Sequence, residues 1–274
     1  MGSARERRYQ VLLVDLDGTV VDYARTEDCA LREVHRRFFR GGPVGRDGPH
    51  DSSGPHSSDG PHDSSGPHSS DGPHDSSGPH SSDGPHDPGG PPDLRDLPAF
   101  LRAFHTANQP LWAAYRERRI DLSELRLERW ARLGAGPGVA AAFEEALGRG
   151  TVLFPEAYGA LRRLSRRFRL ALVTDGIARV QRVKLRRTRI ERFFEHVVIA
   201  PEVGLRKPDG ALLHHALSLL EAKPDEALMV GDSPVSDGGC AREAGVDFCW
   251  VDRTGAPPVP DVPVRLTVPH LAAL

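Results

Sequence analysis

Apolar positions along the chain fall into two periods. Short apolar runs, partly β-branched, occupy residues 9–14, 170–174, 196–200, 227–230 and 248–251. Runs of this length bounded by turn residues predict buried strands. Between the later runs, residues 156–167, 177–187, 210–222 and 234–244 carry apolar side chains at helical spacing. Strands alternating with helices of this length predict βαβ units and a parallel sheet. The segment between the first two strands reads differently. Ala30, Leu31, Val34 and Phe38 share one face of a helix over 26–39. Residues 97–105, 109–118, 122–133 and 139–147 are again helical in pattern, the last two separated by Gly-Ala-Gly-Pro-Gly at 134–138. The expected architecture is therefore a split α/β domain, residues 1–22 and 151–274, carrying an inserted all-helical domain at 23–150.

Composition changes this picture in one place. The 274 residues are 38% hydrophobic and 27% charged, with a net charge of −2. Residues 47–93 contain no Ala, Val, Ile, Leu, Met, Phe, Trp, Tyr or Cys, and hold 9 Asp, 7 His, 9 Gly and 10 Pro with no Lys, Arg or Glu. A 12-residue unit beginning at Asp47 recurs from Asp59 and Asp71, and a fourth copy from Asp83 degenerates after His86. Solenoid repeats bury apolar positions, and this one has none to bury. It cannot offset the entropy of ordering its backbone, so a flexible, proline-stiffened surface loop is expected. Regularly spaced His and Asp also suit metal scavenging, but nothing in the repeat fixes their geometry. Removing 47–93 is expected to leave a folded, active protein.

The remainder has about 46% apolar residues, the ordinary globular value, and a net charge of +7. A wholly disordered chain is excluded. Its Arg residues alternate with Glu and Leu on helical patterns, which marks solvated faces rather than a surface for a nucleic acid polymer. Cys29, Cys240 and Cys249 are too few and scattered for a disulfide framework, and no C-x-x-C pair exists. The Arg-rich N-terminus resembles no secretory leader, and no apolar run reaches the ~18 residues of a membrane span. The default location is the cytoplasm.

Candidate chemistry gathers where strands end, the usual place for sites in open α/β sheets. Asp15-Leu-Asp17-Gly18-Thr19 follows the first strand, and Thr174-Asp175-Gly176 closes the second. Arg206-Lys207-Pro208 follows the third, and Gly231-Asp232-Ser-Pro-Val-Ser-Asp237 the fourth. Like charges this concentrated repel unless a cation neutralises them. Carboxylate oxygens without thiolates suit Mg²⁺. The set matches phosphoryl transfer. A carboxylate serves as nucleophile, donors and cations surround the phosphoryl oxygens, and a second acid protonates the leaving group and then activates water. Thr174 and the Gly176 backbone are candidate phosphate donors. Lys207 can pair with both phosphate and Asp15, Asp232 can ligate the metal, and Asp237 can hold a metal-bound water.

These four motifs in this order resemble those of the haloacid dehalogenase superfamily. The resemblance covers the whole folded part and implies a Rossmann-like core with a helical cap. It implies Asp15 as nucleophile and Asp17 as general acid/base. It implies Asp15, Asp17 (through its carbonyl) and Asp232 as Mg²⁺ ligands. Asp237 completes the candidate metal set, and Asp15, Gly18, Thr174, Asp175, Gly176 and Lys207 are the candidate phosphate contacts. Asn108-Gln-Pro-Leu-Trp112-Ala-Ala-Tyr115, Arg129-Trp130-Ala-Arg-Leu133, the segments 181–188 and 202–208, and Cys249-Trp250 resemble the small-cap 5′-nucleotidases. That narrower likeness implies nucleoside 5′-monophosphates as substrates. A sugar phosphate or other phosphorylated biosynthetic intermediate is the alternative, and a non-catalytic binding module the third. Asp175 departs from the Asn common in that subfamily; it either shapes the turn or takes part in phosphate or metal binding. Asn108, Trp112 and Tyr115 are candidate substrate contacts. Trp112 and Tyr115, at i and i+3, equally fit a cap core, as does Trp130. Asp17 argues against a dehalogenase, which lacks that second Asp. Lys184, Lys207 and Lys223 all lie outside the helical insert, so no cap lysine is present for Schiff-base phosphonate chemistry. Phosphomutase activity stays open, as does monomer versus homodimer.

Overall fold

The computed structural model of the chain describes residues 9–41, 92–257 and 259–274. The repeat, up to residue 91, lies outside the described residues.

Among the described residues, β1 (Val11–Val14), β2 (Arg169–Thr174), β3 (His196–Ile199), β4 (Ala227–Gly231), β5 (Asp247–Val251) and β6 (Leu266–Val268) form one sheet in the order β3-β2-β1-β4-β5-β6. Every pairing is parallel. The chain runs outward from β1 through β2 to β3 and then returns to the other side of β1. That reversal puts the topological switch beside β1, with the ends of β2 and β4 flanking it.

Both faces of the sheet are covered, which is why its central strands read as continuous apolar runs. Leu12, Val14, Leu170, Leu172, Leu228 and Val230 pack on one face with Leu161 and Leu164 of α5 (Ala157–Leu164). Val11, Leu13, Ala171, Val173, Ala227 and Met229 face the other way, toward α7 (Ala211–Leu219) and α8 (Gly239–Ala244). The alternation is the two-residue period of a strand. Helix α6 (Ala178–Thr188) follows β2 and contributes Leu185 to the first layer.

The segment between β1 and β2 builds a separate core from α1 (Tyr23–Phe38), α2 (Leu97–Arg116), α3 (Leu122–Ala131) and α4 (Pro137–Arg149). Leu31, Val34, Phe100, Phe104, Trp130 and Phe143 meet there, and Val180 of α6 joins them. Trp130 is fully buried, its ring 5.0 Å from Phe104 and 5.2 Å from Phe143. A capping box starts α3, where Asp121 accepts from Glu124 N–H and Glu124 accepts from Asp121 N–H, both at 2.8 Å.

Three details differ from the sequence expectation. Helix α2 is continuous through Pro110 instead of breaking near residue 106. Proline in a helix interior costs about 3 kcal/mol. The stripe Phe100, Phe104, Ala107, Leu111, Ala114 and Tyr115 is buried along the whole helix, and each large side chain so buried contributes roughly 1.5–3 kcal/mol. Residues 234–244 are not one α-helix: Pro234–Gly238 form a wider π-type turn before α8. Strand β6 was not expected, being three residues long with an exposed Leu266. All three cysteines are free. Among the described residues no helix is long and apolar enough to cross a membrane.

Candidate active site

The loop after β1 is shaped by its own backbone. Asp15 N–H donates to the Val230 carbonyl at 2.9 Å, tying the end of β1 to β4. Gly18 then turns with φ +90°, and a Cβ there would lie 2.1 Å from Asp232 Oδ2. Only glycine accepts both the positive φ and the approach of that carboxylate. Arg253 clamps the loop from outside, donating to the Thr19 carbonyl at 3.2 Å and to Glu156 Oε1 at 2.7 Å.

Within this frame Lys207 Nζ sits between two carboxylates, 2.5 Å from Asp15 Oδ1 and 2.6 Å from Asp237 Oδ1. All three side chains are buried. The wide turn carries Asp237 back to the end of β4, where its Oδ2 accepts from Ser233 N–H at 3.1 Å. Gly231 makes room, since a Cβ there would lie 2.1 Å from that oxygen. Asp15, Asp232 and Asp237 present carboxylate oxygens within 4.8 Å of one another. Trp250 Nε1 donates to the Asp232 carbonyl at 3.1 Å.

The electrostatics follow from this crowding. Burial raises the carboxyl of Asp15 well above its usual range; Lys207 opposes that, and Asp237 and Asp232 add to it. Asp232 is pushed up to about 7 by burial and by Asp237. Burial alone would lower the Lys207 ammonium, but Asp15 and Asp237 hold it raised. Three carboxylates against one ammonium leave two negative charges, and the donors are all oxygen. That set fits one small divalent cation such as Mg²⁺, held by Asp15, Asp232 and Asp237.

Asp17, two residues beyond Asp15, points elsewhere. Its carboxylate accepts from Lys184 Nζ at 2.6 and 2.8 Å and from Gln181 Nε2 at 2.8 Å. Gln181 donates its other amide hydrogen to Thr174 Oγ1 at 2.7 Å. That acceptor role leaves the Thr174 hydroxyl proton free to donate into the cavity. Tyr23, at the start of α1, lays its ring 5.1 Å from Lys184 Nζ. Sequence reasoning gave Lys184 and Gln181 no role. The available signal was their i, i+3 spacing on the helix that directly follows Thr174, which places both on one face.

A cavity of about 240 Å³ opens between the strand ends and the helical segment. Of the sequence candidates, Asp15, Asp17, Thr174, Asp175, Gly176, Lys207, Asp232, Asp237 and Trp112 line it. Gly18, Asn108 and Tyr115 do not. Gly18 is pressed against Asp232 instead. Asn108 is buried on α2 with its Oδ1 unpartnered. Tyr115 joins the two parts of the molecule: its carbonyl accepts from Arg206 at 2.9 Å, and its ring lies 4.6 Å from that guanidinium. Asp175 is pushed up to about 7, by burial against the pull of Lys207 and Arg206. Tyr23, Arg116 and Arg129 also line the cavity and were not anticipated.

Comparison with known proteins bears on this geometry. Residues 138–251 match the family model described as haloacid dehalogenase-like hydrolase. The chain is 36% identical to a phosphoserine phosphatase of Thermus thermophilus over 61% of this chain and 72% of that protein. It is 33% identical to the pyrimidine 5′-nucleotidase YjjG of Escherichia coli, over 54% of this chain and 69% of that one. A magnesium-bound crystal structure of the HAD-hydrolase YfnB of Bacillus subtilis superposes with a TM-score of 0.70 at 21% identity, covering 97% of this chain and 96% of that one. The parallel sheet, the strand-end carboxylates and these relatives together establish that the chain belongs to the haloacid dehalogenase-like hydrolase family, and both relatives that place it there are phosphatases.

Proposed function

We propose that the chain is a Mg²⁺-dependent phosphomonoesterase that works through an aspartyl-phosphate on Asp15, with residues 23–150 acting as its cap. The observation that carries this reading is the separation of two carboxylates on one loop. Asp15 is paired with Lys207 at 2.5 Å, whereas Asp17 is turned away into the grip of Lys184 and Gln181. One is set as nucleophile, the other as acid/base.

In this reading an Asp15 oxygen attacks phosphorus while the bond to the ester oxygen breaks. Asp17 gives its proton to the departing alkoxide, then takes a proton from the water that attacks the phosphorylated carboxyl and restores Asp15. Lys207 neutralises charge beside the nucleophile. Thr174 Oγ1–H and Gly176 N–H donate to the phosphoryl oxygens. Mg²⁺ bound by Asp15, Asp232 and Asp237, with the Asp17 carbonyl as a further ligand, would supply further neutralisation of the phosphate and the carboxylates.

Nucleoside 5′-monophosphates are the proposed substrates, supported by the 5′-nucleotidase relative and by Trp112, an aromatic ring on the cavity wall. A cavity of about 240 Å³ is below the roughly 300–1,000 Å³ of drug-sized sites, which favours a small phosphorylated metabolite over a polymer. A second reading, a phosphorylated acid or sugar, is favoured by Arg116 and Arg129 on the same wall. Phosphate release with Mg²⁺ from 5′-nucleotides, sugar phosphates and phosphoserine separates the two. Full turnover of 5′-nucleotides by Asp15→Asn would refute the shared mechanism.

A further inference from the structure

The cavity's acidic floor is matched by a cationic roof that the chemistry above does not use. Arg116, at the end of α2, lines the cavity with no hydrogen bond or ion pair among the described residues. Arg129, on α3, lines it too and is 1% exposed. Its guanidinium lies 4.9 Å from the Phe143 ring, yet Nε and Nη2 have no hydrogen-bond partner. The carboxylates whose charge reaches it are engaged elsewhere. Glu144 accepts from Arg126 at 2.5 and 2.9 Å and from Arg179 at 2.9 Å, and Glu27 accepts from Tyr23 at 3.0 Å.

A guanidinium keeps its charge in proteins, so a buried one with unmet donors is strongly unfavourable unless something arrives to meet them. The two unmet donors are a specific pair. Nε–H and Nη2–H lie side by side on one edge of the planar group, the fork that grips two adjacent acceptors at once. Arg129 borders the cavity, and both donors are closed off from solvent, so a group arriving from the cavity would meet them only by displacing the wall atoms that cover them.

The geometry points to Arg129 as the residue that selects the substrate's leaving group, by taking a planar pair of adjacent acceptors on its Nε/Nη2 edge, with Arg116 adding positive charge beside it. This rests on the phosphomonoesterase reading and narrows its substrate class. Two sources supply that chemistry. One is the carboxylate of a phosphorylated acid. The other is a nucleobase edge with neighbouring acceptors, O2/N3 of cytosine or O6/N7 of guanine. Uracil has the N3–H donor beside both of its acceptors, and adenine has no two adjacent acceptors, so neither qualifies.

The test compares kcat/KM of the wild type and Arg129→Lys for CMP, GMP, UMP, AMP, phosphoserine and glycerol phosphate, each divided by the value for phenyl phosphate. Lysine keeps the charge and most of the stem but not the fork. The ratio is expected to fall roughly 10- to 100-fold for substrates that offer the acceptor pair and to hold for the others. A fall for CMP and GMP identifies a base as the source, and a fall for phosphoserine identifies a carboxylate. Ratios unchanged for every substrate overturn the inference, including the case where all activities drop together with the melting temperature. If the wild type hydrolyses no ester at all, phenyl phosphate included, the phosphomonoesterase reading fails on its own. Calorimetric binding of CMP, GMP and phosphoserine then decides the role of Arg129: tenfold or greater weakening in Arg129→Lys keeps it, and equal binding or none overturns it.

Discussion

Replacing Lys184 by Met tests whether Asp17 is held in place for its work. The side chain is 2% exposed and gives Asp17 two of its three side-chain hydrogen bonds, at 2.6 and 2.8 Å. Methionine keeps an apolar stem of four heavy atoms, one short of lysine, and donates nothing. Each lost bond to a charged group is worth about 1.5–3 kcal/mol. Asp17 keeps Gln181 and is 23% exposed, so water recovers part of that loss. A stability cost of about 1–3 kcal/mol is expected by chemical denaturation. The kinetic effect should exceed what that loss implies, because acid/base catalysis typically supplies ~10²–10⁴ in rate and depends on placement. An Asp17 free to swing should lower kcat about 10- to 100-fold at nearly constant KM, with Lys184→Arg recovering part of it. Steady-state kinetics on the best substrate from the panel provides the assay. An unchanged kcat, or a rise in KM alone, would refute the reasoning, since the latter is the signature of a residue that merely holds the ground-state phosphate.

Further outcomes follow from the same charges. Asp175 has a folded-state pKa of about 7, raised above its unfolded value of about 3.9. Folding therefore favours its protonated form, and its contribution falls as pH rises between those values. Asp175→Asn should thus gain stability over the wild type by on the order of 2–4 kcal/mol from pH 4 to pH 8, measured by urea titration at each pH; a constant difference would contradict this. Mg²⁺ should raise the melting temperature, because it binds the folded carboxylate set and not the unfolded chain. Asp232→Asn should abolish most of that rise, whereas an equal rise in both proteins would move the cation elsewhere.

The architecture was largely legible in the sequence because burial on both faces writes itself as apolar runs. The strand at 11–14 and its parallel partners carry that signature, and the chemical residues sit where each run stops. The misses share a physical cause, which is that tertiary contacts override local signals. The break expected between residues 105 and 109 does not form, because the buried stripe on either side of Pro110 outweighs the cost of that proline. Strand β6 pairs only three residues and gains its place from β5 rather than from any pattern of its own. The turn at 234–238 widens because Asp237 must reach Lys207 and the Ser233 backbone.

The site shows the same division. Asp15, Lys207, Asp232 and Asp237 could be listed from strand ends, and the structure brings them together. Lys184 and Gln181 looked like ordinary polar positions on an amphipathic helix. Their meaning appears only when Asp17, 164 residues before Gln181, comes within 2.8 Å. Arg129 entered only as part of the segment that resembles the 5′-nucleotidases, and nothing in the sequence signals that its donors are left unmet. Tyr115, a candidate substrate contact, packs on Arg206 because α2 ends against the loop after β3.

The central claim is that Asp15 becomes covalently phosphorylated. Asp17→Asn should slow attack by water more than it slows transfer from a phenyl ester, whose leaving group needs little protonation. Rapid acid quench of that variant during turnover of phenyl phosphate with Mg²⁺, followed by peptide mapping by mass spectrometry, tests the claim directly. One added phosphoryl group on the peptide that contains Asp15, absent when Asp15→Asn is combined with it, is the result expected. Turnover that persists in Asp15→Asn, or a phosphoryl group on any other residue, would contradict it.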